Sequence, residues 1–264
     1  MGETAKRVFV AVPLIILAVV IVVAGGPWFA GAVAILGLIG LREFFSMSTG
    51  YLPFRLAAYV GLIGLIAAAL LGTAFNVLLF TALPFLIVFF AAVRRSRIEG
   101  VTASMAVTIF GLFWIGIPLV HAVLLRELPE HGAALMINVL VGTFATDTGA
   151  YGVGRLFGSH KLAPRLSPNK TVEGLVGGIL IGTIAVWCAG LYQDWLSGTD
   201  ALILGASIAS IAVVGDLFES IIKRDLGTKD TSTLFGPHGG LLDRLDAVFF
   251  TVVVGYYVSV ALVY

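Results

Sequence analysis

Between Asp216 and Asp246 the sequence sets acids and bases at helical spacing inside an otherwise apolar chain. Asp216, Glu219, Ser220 and Lys223 stand at i, i+3, i+4 and i+7, so on a helix they form one polar stripe. Leu217, Phe218, Ile221 and Ile222 fill the rest of that surface. A stripe of this kind at the end of an apolar helix must face a wet or protein-lined cavity, or else form an ion-pair ladder that locks helices together. Downstream, Lys229-Asp230 leads to Gly236-Pro237-His238-Gly239-Gly240 and then to Asp243-Arg244-Leu-Asp246. The two glycines permit close backbone approach to a ligand just before a helix start. Asp243 and Asp246 project from one face of that helix's first turn. Such a pair suits Mg²⁺, which takes one or two protein carboxylates together with phosphate oxygens and water. A helix dipole would also favour an acid there, but it explains one acid rather than two. His238 fits a turn-stabilising hydrogen bond as well as proton transfer.

Two upstream segments carry matching chemistry. Asp147 lies within Thr143-Phe-Ala-Thr146-Asp147-Thr148-Gly149-Ala150-Tyr151-Gly152, about 12 Å above Arg155 at 1.5 Å per residue, a depth like that of Asp216 above Lys223. The small residues around it permit close helix packing, and a hydrogen bond to a neighbouring helix is the alternative to a chemical role. Ser167-Pro168-Asn169-Lys170-Thr171-Val-Glu173-Gly174 opens the next apolar run. Lys170 beside the free N–H groups of a new helix makes a phosphate site, although the spacing is not that of a Walker A loop. Carboxylates, lysines, arginines and glycines together suit a metal and a polyphosphate better than a proton relay.

The elements that must position these groups are membrane helices. The chain has 264 residues, 59% hydrophobic and 12% charged, against roughly 25% charged in soluble domains, so lipid must be the solvent of most of its surface. Nine continuous apolar stretches lie at about 8–25, 27–41, 56–72, 75–93, 101–125, 133–154, 174–193, 201–222 and 244–263. The second is short for a span unless Arg42 snorkels. Continuous rather than alternating runs exclude a β-barrel. The expected fold is an all-α polytopic membrane protein of about nine transmembrane helices. With that count every basic residue but Arg126 falls on one side, and the positive-inside rule makes that side, with the N-terminus, cytoplasmic. A polar active-site cavity would therefore open to the cytoplasm. The alternative for the first run, with Lys6 and Arg7 before it and Ala24-Gly25-Gly26 after it, is a signal peptide. Cys188 lies inside an apolar run, and a single cysteine excludes a disulfide within the chain.

The chain divides by content. Residues 1–132 hold five apolar runs and loop charges; Arg42-Glu43 and Arg94-Arg95-Ser96-Arg97 read as topology signals and headgroup contacts, and Pro84 and Pro118 as kink sites. Residues 133–264 hold the remaining four runs and two long loops, near 155–173 and 223–243. Charges inside membrane helices cost on the order of 2.5–3.5 kcal/mol each on insertion scales, so several together imply function.

The residues quoted resemble the CTP:phosphatidate cytidylyltransferases, or CDP-diacylglycerol synthases. Their signature is Ser-x-x-Lys-Arg, then Lys-Asp, then His-Gly-Gly-x-x-Asp-Arg-x-Asp. This chain has Ser220-x-x-Lys223-Arg224, Lys229-Asp230 and His238-Gly239-Gly240-x-x-Asp243-Arg244-x-Asp246. Asp147-x-x-Ala150-Tyr151 and Ser167-Pro168-x-Lys170-Thr171-x-Glu173-Gly174 are also similar. The family commonly reads Pro-Gly where this chain has Gly236-Pro237, and proline fixes a different φ, so the placing of His238 does not carry over. The resemblance implies transfer of CMP from CTP to phosphatidic acid, giving CDP-diacylglycerol and pyrophosphate in phospholipid biosynthesis, with Mg²⁺. It implies Asp216, Asp243 and Asp246 at the metal, with Ser220 and Lys223 beside them in catalysis. Substrate would be held by Lys170, Arg224, Lys229, Gly239, Gly240 and Arg244, with Asp147, Glu219, Asp230 and His238 as further candidates. Membrane lipids surround the protein, a homodimer is what the family suggests, and no nucleic acid is expected. The sequence leaves open a second, monovalent cation. The location would be the inner (plasma) membrane. The rival readings are a CTP-dependent polyprenol kinase, which would release CDP, and an ion or phosphate transporter, which should show an inverted repeat.

Overall fold

In lipid, a backbone must satisfy its own hydrogen bonds, and long apolar runs do so as helices. The computed structural model describes residues 3–96, 98–234 and 239–264. Arg97 and Gly236-Pro237-His238 lie outside the described residues, as do the side chains of Lys6 and Arg7. The helices are α1 (Glu3–Ala24), α2 (Gly26–Met47), α3 (Arg55–Leu71), α4 (Ala74–Val93), α5 (Val101–Gly111), α6 (Ile117–Arg126), α7 (Gly132–Phe157), α8 (Val172–Gly190), α9 (Gly198–Asp225) and α10 (Leu242–Val263). A π-helical turn, Leu112–Gly116, joins α5 to α6 in one rod just before Pro118, whose ring cannot donate to the preceding turn. Pro84 lies inside α4.

Among the described residues, seven segments are long and apolar enough to cross a membrane: α2, α4, the α5–α6 rod, α7, α8, α9 and α10. The protein is thus an all-α, multi-pass membrane protein. The described apolar part of α1, Ile15–Ala24, and α3, with 17 residues, are shorter. The run read as short at 27–41 belongs to a 22-residue helix, because α2 continues through Arg42, Glu43, Phe44 and Phe45. An acid can continue an apolar helix only where its charge is satisfied, and Glu43 is buried among donors described below.

Apolar residues that face lipid need no protein partner. On α4, Phe75, Leu78, Phe85, Leu86, Phe89 and Phe90 are exposed, while Pro84 and Val88 pack inward. The interior is built from fully buried Leu41, Phe45, Leu62, Leu65, Leu112, Ile115, Leu125, Leu204, Ile208, Leu242 and Phe249. An aromatic cluster then ties α2, the α5–α6 rod, α9 and α10. Trp114 meets Phe44 and Phe218 at 5.7 Å each, and Phe218 meets Phe250 at 5.2 Å.

Helices α7, α8, α9 and α10 form the most closely packed group, and small residues are the reason. A Cβ on Gly178 of α8 would stand 2.8 Å from the Thr146 carbonyl oxygen of α7, so those backbones are nearly in contact. On α9, a Cβ at Gly215 would come within 2.5 Å of the Asp246 carbonyl oxygen of α10. The small residues flanking Asp147 therefore act as the sequence suggested. Hydroxyls add cross-links: Thr143 Oγ1 donates to Thr251 Oγ1 at 2.8 Å, joining α7 to α10.

Two of the loops hold more structure than their sequence reveals. The segment between α7 and α8 contains a β-hairpin, β1 (Lys161–Ala163) and β2 (Ser167–Thr171), antiparallel with Lys161 opposite Thr171 and Ala163 opposite Ser167. Its turn closes with Leu166 N–H to Ala163 O at 3.1 Å, with Pro164 at the position that favours proline. In the first half, Arg95 is a structural tie rather than only a topology signal. Its guanidinium lies 4.1 Å over the Phe54 ring and donates to Ser104 Oγ at 2.9 Å and to the Leu52 carbonyl. At the opposite end of the bundle Arg126 donates to the Val22 and Val23 carbonyls, capping α1, while Glu127 accepts from Gly26 N–H at 2.8 Å.

Candidate active site

Four elements converge where α7, α8, α9 and α10 reach the end that carries the hairpin. Helix α7 ends at Phe157, and α8 starts at Val172 with Thr171 as its cap, the hydroxyl accepting from Gly174 N–H at 3.1 Å. Lys170, next to that cap, is thereby aimed inward from β2. A cavity of about 530 Å³ opens there, lined by Asp147, Tyr151 and Arg155 of α7, Asn169, Lys170 and Thr171, Asp216 of α9 and Asp246 of α10. Lys170 Nζ meets Asp216 Oδ2 at 2.5 Å. Arg155 donates to the Tyr151 hydroxyl at 3.0 Å. Asp147 and Asp216, matched in depth by sequence, do share one cavity.

A second charged group adjoins the first. Lys223 Nζ lies 2.7 Å from Asp243 Oδ1 and 3.3 Å from Glu219 Oε1. The other Asp243 oxygen accepts from Gly240 N–H at 2.7 Å and from both Thr231 N–H and Thr231 Oγ1 at 2.9 Å. Glu219 is fully buried and lies against Asp246, which links the two groups. The stripe on α9 is thus divided: Asp216 faces the cavity and Lys170, while Glu219 and Lys223 face α10. The Glu219–Lys223 member of an ion-pair ladder exists alongside the cavity.

The two glycines let the backbone pass close to acids of the protein itself. Gly239 has φ of 80°, and a Cβ there would collide with the Asp243 carboxylate. A Cβ on Gly240 would meet Thr231 Oγ1 and come 2.5–2.6 Å from the Glu43 carboxylate oxygens. In this structure the close approach is to the protein's own acids.

The remaining predicted residues are not among those that line the cavity. Ser220 is buried, while Arg224, Lys229, Asp230 and Arg244 are exposed. Arg224 reaches the Leu166 and Thr228 carbonyls at 3.5 Å each, which places it between the hairpin and the loop after α9. His238 is outside the described residues. Sequence reasoning missed Glu43, Thr231 and Ser232. Glu43, 5% exposed, accepts from Ser232 Oγ at 2.5 Å, from Leu241 and Leu242 N–H at 2.9 Å each and from Thr231 Oγ1 at 3.2 Å. The signal was present: an acid inside the apolar run Leu38–Phe45 carries the same functional default as Asp216.

Among the described residues no three acids, histidines or cysteines already enclose a cation. Asp216 and Asp246 nevertheless open on one cavity beside Asp147, and this is the donor set Mg²⁺ uses when phosphate oxygens and water complete its shell. Asp243, both of whose oxygens carry protein donors, fits the role of organiser as placed.

The fold and site define a multi-pass membrane protein with a charged, phosphate-suited cavity at one end of its last four helices. The cytidylyltransferase family matches residues 5–262, and the chain belongs to that family. It is 31% identical over 291 aligned residues to the phosphatidate cytidylyltransferase of Synechocystis sp., covering 97% of each chain. It is 38% identical over 149 residues to that of Mycobacterium leprae, 56% of this chain and 47% of the relative. It is 41% identical over 125 residues to that of Haemophilus influenzae, 46% of this chain and 43% of the relative. The match thus spans about half the length of the last two relatives and nearly all of the first.

Proposed function

We propose that this protein is a phosphatidate cytidylyltransferase, moving CMP from CTP to phosphatidic acid and releasing pyrophosphate. The observation that carries the reading is the shared cavity of Lys170, Asp216, Asp246 and Asp147, next to Lys223 and Asp243. Asp147, Lys170, Lys223, Asp243 and Asp246 also belong to the motifs in which the sequence resembles the family. The lipid phosphate oxygen attacks the α-phosphorus of CTP as the bond to the β-phosphate oxygen breaks. No general base is required, because the phosphate monoester arrives ionised.

Both reactants are anions, and each unit charge pair at 4 Å costs about 1 kcal/mol in water and about 4 kcal/mol at an effective ε of 20. Lys170 and Lys223 offset that repulsion from inside, while Arg224, Lys229 and Arg244 hold phosphates at the rim. Ser220 donates a hydrogen bond to one of them. Asp216 and Asp246 would hold Mg²⁺, which when bound supplies positive charge to the triphosphate. Asp243 fixes the Lys223 ammonium, and Asp147 adds a carboxylate to the cavity. The site needs positioning and charge stabilisation more than covalent chemistry.

The same reading places nine helical rods across the inner membrane, with the N-terminus and the cavity cytoplasmic. That orientation brings all basic residues except Arg126 to one side. Residues 133–264 form the catalytic region and 1–132 its helical support, in a homodimer. Purified protein in detergent with CTP, phosphatidic acid and Mg²⁺ should yield CDP-diacylglycerol and pyrophosphate. Folded protein that makes neither refutes the reading; release of CDP with a phosphorylated alcohol would establish a lipid kinase instead.

A further inference from the structure

The N-terminal half carries no residue of the motifs discussed above, yet it supplies one acid to their architecture. Glu43 of α2 is buried, and among the described residues its donors come from the two sides of the loop that joins α9 to α10. Thr231 and Ser232 donate their hydroxyls from the near side, and Leu241 and Leu242 donate their backbone N–H groups from the far side. Those last two N–H groups are among the ones that the first turn of a helix leaves unpaired. An acid from a distant helix therefore caps α10, where local sequence would ordinarily provide the cap; the residue at the cap position, Leu241, has no side-chain acceptor. Thr231 Oγ1 stands between the Glu43 and Asp243 carboxylates, 3.2 Å from one and 2.9 Å from the other, and its single proton is shared between them. Asp243 in turn grips Lys223.

We propose that Glu43 is a positioning residue that clamps both sides of this loop to α2 and so sets Asp243, and through it Lys223, for the reaction. Its neighbour Arg42 is exposed and has no part in the clamp. Glu43 touches no reacting atom; it acts through Thr231 and the start of α10. The clamp stands on geometry alone, and only its effect on rate rests on the cytidylyl-transfer reading.

Glu43→Gln preserves shape but turns one acceptor into a donor that faces other donors. Leaving buried donors unpaired beside Asp243 should lower kcat on the order of tenfold or more while KM for CTP changes by less than about threefold. Ser232→Ala should lower kcat less, and in a Glu43→Gln background should add little, because both act through one contact. A readout independent of turnover uses a nitroxide on Thr233→Cys in a Cys188→Ala background. Glu43→Gln should sharpen its spectrum, whereas a nitroxide on Lys161→Cys, on the hairpin, should not change. Unaltered mobility at position 233 overturns the clamp. Loosening at both labelled positions also overturns it, since that reports general destabilisation. If the loop loosens while kcat stays within about twofold, the role in turnover is overturned. Should the wild-type protein form no CDP-diacylglycerol at all, the cytidylyl-transfer reading fails and the mobility measurement still decides the clamp.

Discussion

Replacing Asp243 by asparagine changes one atom of a carboxylate that receives four hydrogen bonds. One oxygen takes the Lys223 ammonium at 2.7 Å, and the other takes Gly240 N–H, Thr231 N–H and Thr231 Oγ1 at 2.7–2.9 Å. The amide has one oxygen to offer. If that oxygen stays with the three loop donors, the amide nitrogen is turned against the ammonium. If it turns to Lys223, the Gly240 and Thr231 N–H groups lose their acceptor and the Thr231 hydroxyl is left to Glu43. The first arrangement is the cheaper, and it sacrifices one charge-assisted bond worth about 2–3 kcal/mol. Among its described carboxylate partners Lys223 then keeps Glu219, at 3.3 Å, and is drawn toward it. If the ammonium is needed at the phosphates in the transition state, that energy converts to roughly a 30- to 150-fold loss of kcat. The assay is CDP-diacylglycerol formation by the purified variant, with CTP and phosphatidic acid varied separately. Size-exclusion behaviour and thermal unfolding should confirm that the protein is intact. Turnover within threefold of wild type in a folded variant would refute both the grip on Lys223 and its importance.

Lys170→Ala should raise KM for CTP and lower kcat, together costing about 2–3 kcal/mol of transition-state stabilisation. Lys170→Arg should not restore it, because a planar guanidinium cannot replace the ammonium 2.5 Å from Asp216; steady-state kinetics check both. Gly178→Val would place atoms against the Thr146 carbonyl oxygen and should destabilise the α7–α8 seam by about 1–3 kcal/mol, seen as a lower Tm in detergent. Arg126→Met removes the cap on α1 and should lower Tm while leaving kcat unchanged, since it lies at the end of the bundle opposite the cavity.

The helices were legible because apolar runs admit few alternatives in lipid. The common cavity of Asp147, Lys170, Asp216 and Asp246 was legible because depth along a helix can be counted from a shared end. Three features were not. The hairpin strands are short, and charged Lys161, Arg165 and Lys170 with prolines in between leave no alternation to read. Arg42-Glu43 looked like the end of a short span because its sequence neighbours supply no partner; the donors to Glu43 lie 188 to 199 residues away. The glycines before Asp243 suggested a ligand, since sequence marks where a backbone must come close without saying to what.

The distribution of acids has a consequence for how substrate enters. In the cavity Asp147, Asp216 and Asp246 face Lys170 and Arg155, and the lysine is already paired with Asp216. A bare triphosphate arriving there would meet carboxylates at least as numerous as free positive charges. On the proposed reading the site therefore disfavours CTP alone and favours CTP carrying a divalent cation, whose charge makes the carboxylates attractive rather than repulsive. The Lys170–Asp216 pair then has a second use. As placed, the pair keeps a lysine and an acid mutually satisfied. A cation held by Asp216 would leave Lys170 available to the phosphates, and on that reading metal and nucleotide would favour each other's binding by the same amount.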